Sequence, residues 1–128
     1  MPIFWRPQFR IGQDDIDADH RYLILLINTV ELVLRFPDDP CNVDLALTEL
    51  RRYAETHFER EERIQIAYGY LHLDQHKREH RALLAEIDVL AQRIRATLDD
   101  PDGGVEGVKE QSGEITAFLR KWLVDHVM

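Results

Sequence analysis

Five of the six histidines in this 128-residue chain interrupt hydrophobic stripes whose members recur every three or four residues, and on one stripe a glutamate stands beside the histidine. His20 falls among Ile16, Leu23, Ile27, Val30 and Leu34. His57 and Glu61 follow Val43, Leu47, Leu50 and Ala54 and precede Ile64 and Tyr68. His76 and His80 lie between Leu73 and Leu83, ahead of Ile87, Leu90 and Ile94, and His126 closes a run through Val105, Val108, Ser112, Ile115, Leu119 and Trp122. Such spacing marks the buried seam of helices packed as a bundle, so five imidazoles and a carboxylate point into a core. Burying them without partners would cost at least ~1–3 kcal/mol each, and a shared metal site satisfies them together.

Helical residues four apart lie about 40° from each other around the axis and one turn apart, about 6 Å, which lets two side chains reach one metal or two adjacent metals. His57 with Glu61 and His76 with His80 have this spacing. Five imidazoles and a carboxylate exceed the four ligands of a closed zinc site, and the count suits two adjacent ions with the carboxylate bridging. Cys41 is the single cysteine, which excludes a thiolate site and an internal disulfide. Ligand softness allows iron, copper, zinc or nickel, and the spacing does not choose among them.

The elements that must position these groups are read as four helices. An N-terminal arm with Phe4, Trp5, Pro7 and Phe9, whose aromatics are expected to pack across the bundle, precedes a first helix from about Asp17 to Phe36, with Asp14, Asp15 and Asp17 as cap and first-turn charges. Pro37 to Pro40 end it. The second helix is expected from Asn42 to Tyr68 with Gly69 as its stop, the third from Asp74 to about Leu98, and the fourth from Val105 to Met128, weakened early by Gly107 and Gly113. Short connections imply an all-α, antiparallel up-down-up-down four-helix bundle in one domain, residues 1–128. In that topology the start of the first helix, the end of the second, the start of the third and the end of the fourth share one end of the bundle, so all six polar groups meet in one layer.

Composition narrows the function. Sixteen Lys and Arg against 24 Asp and Glu give a net charge of −8 and no basic patch, which argues against nucleic-acid or anionic-membrane binding. The longest strongly apolar run, Tyr22 to Ile27, is far short of the ~20 residues of a membrane helix, and the N-terminus lacks the apolar core of a signal peptide, so a soluble cytoplasmic protein is expected.

In four pieces the chain resembles the hemerythrin family, specifically bacterial hemerythrins and hemerythrin-like domains: Asp17-Ala-Asp-His20, His57-Phe-Glu-Arg-Glu61-Glu62, His76-Lys-Arg-Glu-His80 and Trp122-Leu-Val-Asp-His126. The resemblance spans nearly the whole chain. It implies two non-haem iron ions, oxo- or hydroxo-bridged, that bind O2 reversibly, with His76, His80 and His126 on one iron, His20 and His57 on the other, and Glu61 between them. The iron with two histidines keeps a position open for O2. Leu123 matches a family position lining the O2 pocket, and Leu23, Ile27 and Phe58 are added from helical position. Two departures stand out. The family places a bridging aspartate five residues after the last histidine, whereas this chain ends two residues after His126, which suggests a fragment of a longer protein. Asp125 lies ~100° around the helix from His126 and cannot substitute. Leu71 stands where relatives commonly carry proline.

Each residue also has a plainer role. His72 belongs to the connector between the second and third helices, the Glu59, Glu61 and Glu62 cluster would ordinarily be a solvated face, Trp122 and Tyr68 are packing residues, and Cys41 is an inert loop thiol. Joint occurrence separates the ligand set from these. The expected function is O2 carriage, storage or sensing rather than catalysis. The alternatives are a di-iron oxidase or peroxidase, disfavoured because no Glu-x-x-His motif occurs, and a sensing domain coupled to a C-terminal output domain or protein partner.

Overall fold

A computed structural model describes Trp5 and residues 12–127, with the side chains of His126 and Val127 outside that description. Phe4, Pro7, Phe9 and Met128 also lie outside the described residues. Four α-helices follow one another: α1 (Asp14–Arg35), α2 (Pro40–Ala67), α3 (Leu73–Asp99) and α4 (Gly104–Trp122), the last continued by a π-helical segment, Leu123–Val127. Each helix packs on the next, and α4 closes the ring against α1. On α2 and α3, Asp44 pairs with Arg95 at 2.8 Å and Arg51 with Asp88 at 3.2 Å, so the two run antiparallel. These surface pairs fix register more than they stabilise, since each is worth ~0–1 kcal/mol.

The helix ends depart from the sequence expectation in ways local chemistry explains. α1 begins earlier, at Asp14, because the Gln13 side chain accepts the Ile16 N–H at 2.9 Å and leaves the three aspartates in the first turn, where they oppose the helix dipole. α2 begins at Pro40, a residue expected to be part of a stop. Proline lacks only an N–H that the first turn leaves unused, and Asp39 caps the helix by accepting from Cys41 N–H at 2.9 Å. α2 ends as expected at Gly69, whose φ of +66° lets its N–H bond the Ile66 carbonyl while Tyr70 N–H bonds that of Gln65. Beyond this last turn Tyr68 leaves the seam and is exposed. α4 passes unbroken through Gly107, where a Cβ would sit 2.8 Å from Thr97 Cγ2, so this glycine permits the close approach of α4 to α3.

The core follows the four stripes. Leu23, Ile27, Val30 and Leu34 of α1 meet Val43, Leu47, Leu50 and Ala54 of α2, Ile87 and Ile94 of α3, and Val108, Ile115 and Leu119 of α4. Trp5 of the arm packs on this core with the Arg21 guanidinium 4.7 Å above its ring, in keeping with the role expected of the arm's aromatics. No helix among the described residues is long and apolar enough to cross a membrane.

Candidate metal centre

His20 lies in the second turn of α1, His57 and Glu61 in the second half of α2, and His76 and His80 in the first turns of α3, all at one end of the bundle. There they form two trios. Ring nitrogens of His20 and His57 and a Glu61 oxygen lie within 4.8 Å of one another, and so do Glu61, His76 and His80. Glu61 belongs to both. The His57 Nε2 atom is 3.1 Å from Glu61 Oε2, and His80 Nε2 is 3.8 Å from Glu61 Oε1, so the two carboxylate oxygens face opposite imidazoles. The His20 and His57 rings meet edge to face with centroids 5.0 Å apart.

Hydrogen bonding at this end is incomplete in a way rare for a core. Both ring nitrogens of buried His20, His57 Nε2 and His80 Nδ1 have no hydrogen-bond partner, the short His57–Glu61 approach lacking the alignment of one. Each such group carries a desolvation penalty that natural cores avoid. Burial, reinforced by the neighbouring His57, pushes the His20 pKa down to about 4, which keeps the ring neutral and its lone pair available. Burial likewise lowers His80 against the opposing pull of Glu61 and Glu62. Burial alone would raise Glu61, but the close approach of His57, with His80 and His20 nearby, outweighs it and lowers the carboxyl, which stays ionised. A neutral His20 beside an ionised Glu61 is the pair of protonation states a cation requires.

A second layer orients these groups. Buried Asp19 accepts from His57 Nδ1 at 3.0 Å and from the Tyr53 hydroxyl at 2.8 Å, and is also bonded by Arg60. Burial would raise its carboxyl, yet the bonds from His57, Tyr53 and Arg60 together lower it. Because Asp19 accepts from His57 Nδ1, Nε2, turned toward Glu61, is the ring atom left to meet a cation. Asp19, Tyr53 and Arg60 carry no signal in the hydrophobic pattern of the sequence. Asp19 adjoins His20, ~100° away around α1, and only the position of α2 shows that this side of the helix also faces a ligand candidate. Gln65 and Tyr70 engage His76 in the same way, and they too carried no signal in the pattern.

The four apolar pocket candidates are all buried: Leu23, Ile27 and Leu123 are fully so, and Phe58 is 2% exposed. Phe58 lies parallel to the His80 ring at 4.2 Å and 6.0 Å from Trp122. His126 falls in the π-helical segment, where its side chain is outside the described residues. Asp125 points to the surface and pairs with Lys121 at 2.6 Å, so it joins neither trio. His72 stands at the N-cap position of α3 with no capping bond from its side chain, is exposed, and stays apart from both trios.

Residues 11–128 match the family model described as the hemerythrin HHE cation binding domain. A bacteriohemerythrin of Clostridium acetobutylicum is 28% identical over 127 residues, which cover 97% of this chain and 92% of that protein. A bacteriohemerythrin of Stenotrophomonas maltophilia is 26% identical, with 98% and 74% covered, and a myohemerythrin of Riftia pachyptila is 25% identical, with 98% and 85% covered. None of these names is an enzyme's. With histidines and a shared glutamate gathered at one end of a four-helix bundle, this chain belongs to the hemerythrin HHE cation binding domain family.

Proposed function

We propose that the chain holds a non-haem di-iron centre and binds O2 reversibly there. His20 and His57 serve one iron, His76, His80 and His126 the other, and Glu61 bridges. The observation that carries this reading is the membership of Glu61 in both trios, with its two oxygens turned toward different imidazoles. The unsatisfied nitrogens of His20, His57 and His80 fit it too, because a buried lone pair without a hydrogen bond is available to a cation.

Bound iron supplies the electrons and the open coordination position that reversible O2 binding needs. The protein supplies the rest. Asp19 accepts from His57 Nδ1, so Nε2 is the ring atom left to face a cation. Glu61 stays ionised and offsets cationic charge in a site that water does not reach freely. Leu23, Ile27, Phe58 and Leu123 are buried groups that neither donate nor accept protons, and as the walls of an O2 pocket they would suit a small apolar ligand and exclude water. Such a pocket favours release of O2 unchanged over its reduction, a property that carriage, storage and sensing share. Exposed Cys41, the only cysteine, fits a reducing cytoplasm.

The test is an optical titration of the iron-loaded, reduced protein with O2. A visible absorption that grows with O2 and vanishes when the gas is removed, through repeated cycles, is the expected result. Steady consumption of O2 and reductant would instead assign the site to an oxidase.

A further inference from the structure

Among the described ligand candidates His76 alone has both ring nitrogens engaged. Gln65 Nε2 lies 3.2 Å from its Nδ1, and the Tyr70 hydroxyl lies 3.2 Å from its Nε2, with the phenol ring edge-on to the imidazole at 4.9 Å. His20 engages neither nitrogen and His57 only Nδ1. The two trios that share Glu61 are therefore unequal: a cation entering the first meets bare nitrogens, whereas one that binds through His76 must first displace a hydrogen-bonding partner.

The surroundings decide which partner leaves. Gln65 projects from α2 one turn beyond Glu61, and its Oε1 is buried without a partner, so withdrawing the amide would strand more polar surface. Tyr70 stands in the α2–α3 connector just after the αL turn at Gly69, 42% exposed, and its hydroxyl can pass to water at little cost. A neutral imidazole bears one proton: the Gln65 amide N–H donates to Nδ1, so Nε2 carries the ring proton and donates it to the Tyr70 oxygen. A cation at Nε2 requires the other tautomer, with the proton on Nδ1 and the Gln65 amide turned so that its unpartnered Oε1 accepts it.

We infer that Tyr70 is a positioning residue that gates the His76 half of the centre, its hydroxyl occupying His76 Nε2 until a metal ion displaces it. This rests on the two-ion reading above. The phenol bond stabilises only the metal-free state, so it weakens binding of the second ion and separates the two binding steps.

The experiment is calorimetric titration of the metal-free protein with Co2+ for wild type, Tyr70→Phe and Gln65→Leu. Wild type takes up two ions. Tyr70→Phe raises the affinity of the weaker step roughly 3- to 10-fold, the range expected for a single net hydrogen bond, and leaves the stronger step unchanged. Thermal melts show the metal-free variant destabilised and the loaded variant equal to wild type. Gln65→Leu lowers the weaker affinity. If Tyr70 served only to hold the connector in place, Tyr70→Phe would weaken binding, the opposite sign. An unchanged or weakened second step in Tyr70→Phe, or a gain found in Gln65→Leu instead, overturns the gate while leaving the two-ion reading intact; fewer than two ions in wild type overturns both.

Discussion

The two ends of this bundle are filled to the same depth and by the same helical period, yet they satisfy themselves differently. At one end Val30, Leu34, Val43, Leu47, Ile94 and Val108 are all 0–1% exposed and present only hydrocarbon to one another. At the other, Asp19, His20, His57 and His80 are buried nearly as deeply, and several of their nitrogens meet no partner. Burial is favourable in itself at the first end. At the second it becomes favourable once something binds, so the apolar end carries the fold and the polar end draws on that stability for a site.

Breaking the apolar end should have the largest effect on the metal-free protein. Leu47→Ala leaves a cavity among fully buried neighbours and should lower unfolding stability by roughly 2–5 kcal/mol in denaturant melts, while metal content per folded chain is unchanged. Equal loss of stability and metal content would mean that the ends are not separable.

Acid should act most strongly on the polar end. The His20 pKa falls from 6.5 to about 4 on folding, so the unfolded chain takes up a proton between these values that the folded chain refuses. Stability of the metal-free protein is therefore full above pH 6.5 and drains as pH falls toward 4, by roughly 3 kcal/mol from this group. Melting at stepped pH checks it, and in His20→Leu that contribution to the decline should be absent.

Asp19→Asn removes the charge that fixes His57 without emptying the core, and metal affinity should fall roughly 10- to 100-fold by competition with a chelator. A smaller effect of unexpected sign sharpens the contrast further. His20→Leu replaces two unsatisfied buried nitrogens with hydrocarbon and should stabilise the metal-free protein, by about 1 kcal/mol, while removing the ion on that side. Destabilisation of the metal-free form would show that His20 has a structural partner.

The layer of polar groups was legible in the sequence because two simple rules suffice: the helical period places His20, His57, Glu61, His76 and His80 on seams, and antiparallel succession brings those seam positions to one end. Asp19 was not legible. It lies off the seam of α1, and its purpose appears only when His57, 38 residues later, turns Nδ1 onto it. Helix ends were partly legible, as at Gly69, and missed at Pro40, since proline both ends one helix and opens the next. The widening from α- to π-helix at Leu123 has no signature in residue type, and it places His126 on a turn whose side-chain directions the 3.6-residue period does not give.

The claim on which the rest depends is that one carboxylate serves two metal ions. Elemental analysis of chelator-stripped protein reconstituted with ferrous iron under anaerobic conditions, wild type beside Glu61→Ala, tests it most directly. Two irons per wild-type chain, falling to one or fewer in the variant, is the predicted result. A wild-type value of one or none, or a variant that still holds two, would contradict it.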